Sequence, residues 1–172
     1  MSKKCLFIGD SLVEFFNWHN RFPEQRIFNF GQAGETAEGL AARLPGIIKR
    51  YENVDLIMIM TGTNNIAMED YGFLVTYEKV ISQLQKAYPA AKIIITSLLP
   101  MELYWLGDAV PRVNKRLQEI SRHFAVHYLD LYPLFLGPDS KQNAACFEAD
   151  RVHLSLQGYE VWADALEDIL EE

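Results

Sequence analysis

Short apolar runs alternate with amphipathic stretches along the whole chain. The apolar runs lie at residues 4–8, 26–30, 55–61, 92–98 and 126–131, and a glycine follows each of the first three. Runs of this length predict β-strands, and strands without a polar face are typical of a parallel sheet covered on both sides. The pattern therefore predicts a parallel sheet of five strands.

Between these runs, apolar residues recur at the spacing of one helical face. The four stripes consist of Leu40, Leu44, Ile47, Ile48 and Tyr51; Tyr77, Val80, Ile81, Leu84 and Tyr88; Val110, Val113, Leu117, Ile120 and Phe124; and Tyr159, Trp162, Ala163, Leu166, Ile169 and Leu170. Thr36 is the expected N-cap of the first helix. Because strands and helices alternate without a linker or repeat, we predict a single α/β domain over residues 1–172.

In a sheet of this kind, chemistry gathers outside the carboxyl ends of the strands. Four polar segments follow predicted strands, at residues 9–12, 29–36, 62–65 and, after a longer loop, 150–153. We therefore expect these four segments to share one edge of the sheet.

Three residues of these segments have the chemistry needed for acyl transfer. The hydroxyl of Ser11 is a weak nucleophile until a base removes its proton, and His153 is the candidate base. Asp150, three residues earlier on one turn, can hold the imidazole N–H and fix its tautomer. Alone, Ser11 would suit a helix cap and His153 a structural site, but together with the other segments they favour catalysis.

The tetrahedral intermediate of acyl transfer also needs hydrogen-bond donors for its oxyanion. The candidates are the backbone N–H groups of Ser11 and Gly34 and the side-chain amide of Asn64. One such donor is typically worth about 3 kcal/mol of transition-state stabilisation. Asn64 could instead stabilise its own turn.

These motifs resemble those of the SGNH hydrolases, also called GDSL esterases and lipases, from residue 5 to about 165. The matching residues are Gly-Asp-Ser-Leu at 9–12, a glycine after the second strand, Gly-Thr-Asn at 62–64 and Asp-x-x-His at 150–153. The resemblance implies a three-layer α/β/α sandwich similar to flavodoxin, serine catalysis without a cofactor, and Asp150 as the triad acid. Gly31 competes for the glycine position, but Gly34 better matches the family's Gly-x-Thr ending.

The third motif departs from the family at Asn65, where the family often has Asp. Because Asn64 is the donor, we expect activity to survive. The Gly-Thr-Asn-Asn sequence is similar to the platelet-activating-factor acetylhydrolase-like and acetylesterase branches, which favours small or flexible acyl groups. Acetyl esters (acetylated sugars among them), lysophospholipids and other short-chain lipid esters, and thioesters are the candidate substrates.

Other polar residues receive structural interpretations. Asp10 is expected to accept a hydrogen bond beside the nucleophile, and Glu14 and Glu35 to be surface charges. His127 and Asp130 lie in one predicted strand, where residues three apart face opposite sides, so they are not a catalytic pair. His19 and His123 are expected to be solvated on helices, and no histidine pair has the helical spacing of a zinc site.

Two aromatic clusters have no assigned chemistry. The first consists of Phe15, Phe16, Trp18 and Phe22, for which core packing is expected. The second consists of Leu103, Tyr104, Trp105 and Leu106, in the loop after the fourth strand. It could line an acyl pocket, form a subunit interface or pack in the core.

The amino-acid composition limits the classes of molecule that the protein is expected to bind. A net charge of -7 opposes binding to phosphate backbones, so we expect no nucleic-acid partner, and no apolar run is long enough to span a bilayer. The N-terminal run is too short for a signal-peptide core, which favours the cytoplasm. Cys5 and Cys146 are expected to form neither a disulfide nor a metal site. The expected partners are a small-molecule ester and, as a candidate, a second copy of the chain.

Three other kinds of protein fit parts of the pattern. A flavin or nucleotide binder would hold phosphate in the loop after the first strand, but Asp10 and Glu14 would repel it there. An α/β-hydrolase would place its serine in Gly-x-Ser-x-Gly, which does not occur here. A catalytically inactive recognition module would not need the complete set of predicted site residues.

Overall fold

The computed structural model describes residues 2–171, and its central feature is a five-stranded parallel sheet. The strands are β1 Lys4–Gly9, β2 Arg26–Gly31, β3 Leu56–Met60, β4 Lys92–Thr96 and β5 His127–Leu129. Their spatial order is β2-β1-β3-β4-β5 and all neighbours are parallel. This is the flavodoxin-like order, so the predicted fold class is confirmed.

The predicted fifth strand, 126–131, is longer than β5. The ladder with β4 ends at Leu129, which pairs with Thr96. Beyond it, the backbone N–H groups of Leu131 and Tyr132 both donate to the Ser97 hydroxyl, at 2.9 and 2.8 Å. The chain leaves the sheet there because a side chain replaces the ladder as hydrogen-bond partner.

Helices connect and cover the strands. Their bounds are α1 Ser11–Glu14, α2 Trp18–Arg21, α3 Ala37–Arg50, α4 Thr63–Ala67, α5 Phe73–Ala87, α6 Ala109–His123 and α7 Leu156–Glu171, with 3₁₀ turns at Tyr132–Phe135 and Ala144–Cys146. The four long helices are those that the apolar stripes predict, and Thr36 caps α3 by accepting from the Gly39 N–H. The short helices α1, α2 and α4 carry too few turns to give a periodic signal.

The helices form a layer on each face of the sheet. α5 packs against α3 and α6 on one face, as right-handed crossovers require. On the other face, α7 packs against the aromatic residues that follow α1: Trp18 and Trp162 have ring centroids 5.0 Å apart, and Phe16 stacks on Tyr159 at 4.6 Å. The expectation that this cluster packs in the core holds for Trp18 and Phe22, whereas Phe15 is 56% exposed.

Two further sequence expectations concern the cysteines and the membrane. Cys5 lies in β1 and Cys146 in a 3₁₀ turn; both thiols are buried and unpaired, and burial raises the pKa of Cys5 to about 12. Within residues 2–171, no helix combines the length and the apolar character needed to cross a membrane.

Candidate active site

The carboxyl ends of β1 and β2 bring the first two polar segments together. Ser11 begins α1 directly after β1, and Asp10 caps this helix by accepting from the Leu12 N–H at 3.0 Å. The Gln32 N–H donates to the Gly9 carbonyl at 2.9 Å, which ties the loop after β2 to the end of β1. The loop around Gly34 therefore lies beside the segment that carries Ser11.

The segment at 150–153 forms a tight turn organised by one carboxylate. Oδ1 of Asp150 accepts the backbone N–H groups of Val152 and His153, each at 2.9 Å. Arg151 lies between Asp150 and these two residues, and its left-handed backbone, with φ of 60°, reverses the direction of the chain there. The turn is tied to the loop after β4 by Gln142, whose side-chain amide donates to the carbonyls of Arg151 and Pro100. The imidazole of His153 is thus fixed relative to the edge of the sheet.

The three residues predicted to transfer an acyl group form one chain of hydrogen bonds. The Ser11 hydroxyl lies 3.0 Å from Nε2 of His153, and Nδ1 of His153 lies 2.6 Å from Oδ2 of Asp150. When Nδ1–H donates to the carboxylate, Nε2 is unprotonated and accepts the Ser11 hydroxyl proton. The sequence spacing between Asp150 and His153 therefore corresponds to a direct contact.

Hydrogen bonding favours the ionised form of Asp150. Partial burial acts to raise its pKa, but the hydrogen bonds from the His153 ring and from the two backbone N–H groups outweigh that effect and lower the pKa to about 2. An ionised carboxylate at this place can hold the His153 ring in one tautomer and can stabilise an imidazolium at this position.

Gly34 occupies the third position of a four-residue turn. The Glu35 N–H donates to the Gln32 carbonyl at 3.1 Å, and Gly34 has φ of 75°. A type II turn requires a positive φ at this position, which favours glycine. The carboxylate of Glu14, exposed as predicted, accepts the Ala33 N–H at 2.6 Å and holds the turn against α1.

Asn64 reaches this turn from α4. Its side-chain amide donates to the Glu35 carbonyl at 2.9 Å. An amide group carries two N–H bonds, so one remains available for a ligand. The structure thus gathers the predicted oxyanion donors of Ser11, Gly34 and Asn64 onto contacting loops.

The neighbouring Asn65 is a residue whose contribution sequence reasoning missed. It is fully buried, its oxygen accepts the Ala37 N–H, and its amide donates to Glu38 and Asp70, all at 2.9 Å. These bonds tie α4 to the first turn of α3. The departure from the family's Asp at this position was a signal that could have drawn attention to it.

Two other polar residues differ in how far they match expectation. Asp10 accepts a hydrogen bond beside Ser11 as predicted, from the Leu12 N–H, and its side chain is fully buried; burial raises its pKa to about 6, against the lowering effect of that N–H. Glu35 was predicted to be a surface charge, and this prediction is wrong. Its side chain is 2% exposed because Arg43 of α3 supplies a paired guanidinium.

The signal that could have revealed Arg43 lies in the α3 stripe. Arg43 is three residues after Leu40 and four before Ile47, so it lies on the buried side of the helix. A charged residue at such a position needs a partner of opposite charge.

The remaining histidines lie outside this arrangement. His19, His123 and His127 are exposed, the first two as predicted. His127 lies in β5, whereas Asp130 follows this strand instead of lying in it as predicted, and among residues 2–171 no hydrogen bond joins the two side chains.

The second aromatic cluster is divided between interior and surface. Leu106 is buried and Leu103 packs against the core, but Tyr104 is 95% exposed and Trp105 lies beside it on the surface. The Trp105 indole donates to the Ala67 carbonyl at the end of α4. Core packing is therefore excluded for these two rings, and the acyl pocket and the subunit interface remain predictions.

Comparisons with known proteins show which family the chain resembles in sequence. The sequence profile of the GDSL-like Lipase/Acylhydrolase family matches residues 7–161. Platelet-activating factor acetylhydrolase IB subunit alpha2 of Rattus norvegicus is 31% identical over 167 residues, which is 90% of this chain and 70% of the relative.

Two solved structures share the fold. A GDSL-like lipase from Bacteroides thetaiotaomicron superposes with a TM-score of 0.83 at 19% identity, covering 98% of this chain and 88% of that one. An acetylxylan esterase from Geobacillus stearothermophilus superposes with a TM-score of 0.77 at 22% identity, covering 99% and 94%. At these identities the likeness concerns the fold alone.

Proposed function

The chain belongs to the GDSL-like lipase/acylhydrolase family, and from that premise we propose that it hydrolyses esters of small or flexible acyl groups through an acyl-enzyme on Ser11. That it is an ester-hydrolysing enzyme follows from the family itself. The residue roles and the acyl preference are the proposal. The single observation that carries it is the continuous hydrogen-bond chain from Ser11 through His153 to Asp150.

In the first half of the proposed reaction, Nε2 of His153 takes the Ser11 proton while the Ser11 oxygen attacks the ester carbonyl carbon. The negative charge that forms on the carbonyl oxygen accepts hydrogen bonds from the Ser11 and Gly34 N–H groups and from the Asn64 amide. The intermediate then collapses, the bond to the leaving alcohol breaks, and His153 returns its proton to that alcohol. An acyl group remains bound to Ser11.

In the second half, water replaces the alcohol. His153 takes a proton from the water as its oxygen attacks the acyl-enzyme carbonyl, and the same donors bind the second oxyanion. Collapse of this intermediate breaks the bond to Ser11, to which His153 gives back the proton. The products are a carboxylic acid and the free enzyme. Asp150 stays ionised throughout, consistent with the lowering of its pKa to about 2.

Two observations support a preference for small or flexible acyl groups. The side chains of Asp150 and His153 are 50% and 35% exposed, so the reacting edge is open rather than enclosed in a deep cavity. The rat relative, 31% identical, is named an acetylhydrolase. Acetylated sugars, short-chain lipid esters and acyl thioesters all fit such a site, and among acyl groups we propose acetyl.

We also propose that the enzyme acts in the cytoplasm on a small-molecule substrate. The two buried, unpaired thiols of Cys5 and Cys146 support this location, because a reducing compartment keeps thiols free. Tyr104 and Trp105, exposed near α4, are the residues we propose for contact with the acyl group or with a second copy of the chain.

The test is a panel of p-nitrophenyl esters of graded acyl length, run beside acetylated xylose and acetyl thioesters. We expect kcat/KM to be highest for acetyl and to fall as the acyl chain lengthens. Hydrolysis of every ester at the rate of the Ser11→Ala variant would refute the enzymatic proposal. A maximum at long acyl chains would overturn the acyl preference alone.

A further inference from the structure

An ion pair between the buried carboxylate of Glu35 and the partly exposed guanidinium of Arg43 lies next to the candidate oxyanion site. The carboxylate of Glu35 receives two hydrogen bonds from the Arg43 guanidinium, from Nε at 2.5 Å and from Nη2 at 2.7 Å. This paired, planar contact fixes both the distance and the orientation of the two groups. The proposed reaction uses neither side chain.

Arg43 connects three elements at this point. It extends from α3, binds Glu35 in the turn, and donates from Nη2 to the Phe30 carbonyl in β2 at 2.6 Å. The turn that contains Gly34 ends at Glu35, and through Arg43 this end is attached to α3 and to β2, the strand that precedes the turn. Lysine could supply the charge at position 43 but not the planar set of donors.

The space around the Glu35 side chain is closely filled. A Cβ atom at Gly39 would lie 2.9 Å from Cγ of Glu35, so α3 passes the side chain at a distance that only glycine permits. The Thr36 hydroxyl accepts the N–H of this same Gly39. Glu35 is consequently held from both ends, by Arg43 at its carboxylate and by α3 along its stem.

The backbone carbonyl of Glu35 contacts Asn64, which is a proposed donor to the oxyanion. Its carbonyl accepts one N–H of the Asn64 amide at 2.9 Å. Because that bond fixes the plane of the amide, the carbonyl position determines where the second N–H points. A displacement of the Glu35 backbone would therefore turn the Asn64 donor away from the reacting carbonyl.

We propose that the Glu35–Arg43 pair is a positioning device for the oxyanion hole: Arg43 fixes Glu35, whose carbonyl aims the Asn64 amide. The inference rests on the proposed function, since it assigns Asn64 as an oxyanion donor. Glu35 and Arg43 are positioning residues that act through Asn64. A misplacement of about 1 Å in a catalytic group can lower a rate by about 10²-fold.

The test is a double-mutant cycle between Arg43→Lys and Asn64→Ala, measured with p-nitrophenyl acetate. Arg43→Lys alone should lower kcat by about 10- to 100-fold and change KM by less than about 2-fold. In the Asn64→Ala background, the same substitution should lower kcat by less than about 3-fold, because the group that it displaces is absent. Equal losses in both backgrounds would mean a general structural effect and overturn the proposal.

Control experiments distinguish a failure of the proposed function from a failure of the positioning role alone. Arg112→Lys changes an exposed arginine that pairs with Asp108 four residues earlier, and it should leave kcat unchanged. A wild-type enzyme without esterase activity would refute the proposed function, whereas an active enzyme with full kcat in Arg43→Lys would refute only the positioning role. If Arg43→Lys fails to fold, the variant Glu35→Gln/Arg43→Gln leaves no unpaired buried charge and must give the same non-additivity with Asn64→Ala.

Discussion

Ser11 and His153 are separated by 142 positions in the chain, yet the Ser11 hydroxyl lies 3.0 Å from Nε2 of the His153 ring. The first residue begins a helix at the end of β1, an interior strand of the sheet, and the second lies in the turn before α7. The parallel sheet makes this contact because it brings strand-to-helix loops from distant parts of the chain to one edge.

Replacing the nucleophile should abolish hydrolysis without unfolding the protein. We expect Ser11→Ala to lower kcat for p-nitrophenyl acetate by about 10⁶-fold, the scale found for a triad nucleophile. Circular dichroism and thermal unfolding should match the wild type, since the change removes one oxygen atom. Ser2→Ala, at an exposed position, is the matched control. Comparable turnover by Ser11→Ala would end the assignment.

Replacing Asp150, the proposed acid of the triad, should impair the reaction but preserve the turn at residues 150–153. In Asp150→Asn, the side-chain oxygen can still accept the N–H groups of Val152 and His153, but the negative charge that faces Nδ1–H of His153 is lost. We expect kcat to fall by about 10⁴-fold with little change in melting temperature. Asp130→Asn is the control, because Asp130 follows β5 and has no proposed part in the reaction. Equal kcat in the two variants would contradict the triad.

Removing one oxyanion donor should slow the chemical step and spare binding. We expect Asn64→Ala to lower kcat by about 10²- to 10³-fold with KM nearly unchanged, because the amide gains its second hydrogen bond mainly as the oxyanion forms. Steady-state kinetics with p-nitrophenyl acetate measures both constants. Asn20→Ala, at an exposed position of α2, should leave them unchanged. A rise in KM at constant kcat would instead identify Asn64 as a ground-state binding residue.

The buried carboxyl of Asp10 should make stability depend on pH. Burial raises its pKa from 3.8 to about 6, so the folded protein holds this proton more tightly than the unfolded chain does. The stability from this group is complete below about pH 4 and is lost as the pH rises through 6. Relative to Asp10→Asn, the free energy of unfolding of the wild type should therefore fall by about 2 kcal/mol between pH 4 and pH 7.

Urea denaturation at a series of pH values measures this difference. Asn at position 10 keeps an oxygen for the Leu12 N–H, so the comparison isolates the charge. Asp168→Asn, on the exposed side of α7, is the control and should show no such change relative to the wild type. A difference between wild type and Asp10→Asn that is constant from pH 4 to pH 7 would show that Asp10 does not titrate in this range.

Much of the fold could be predicted from local patterns. Each apolar run contains the core of a strand, and each long stripe lies on a helix, because burial selects apolar side chains at the period of the element. The end of β5 was missed, since the Ser97 hydroxyl that takes over its hydrogen bonds comes from a different loop. A local pattern contains no information on which distant side chain will compete for the backbone.

The strands, the long helices and the candidate site residues could be predicted from the sequence, because they follow from neighbours along the chain and from motifs at strand ends. That Glu35 is a buried partner of Arg43, and that its carbonyl accepts a hydrogen bond from Asn64, could be seen only in the folded chain. The burial of a charge depends on the groups that fold around it, and these come from distant parts of the sequence. Arg43 and Asn64 come to Glu35 from two different helices, α3 and α4.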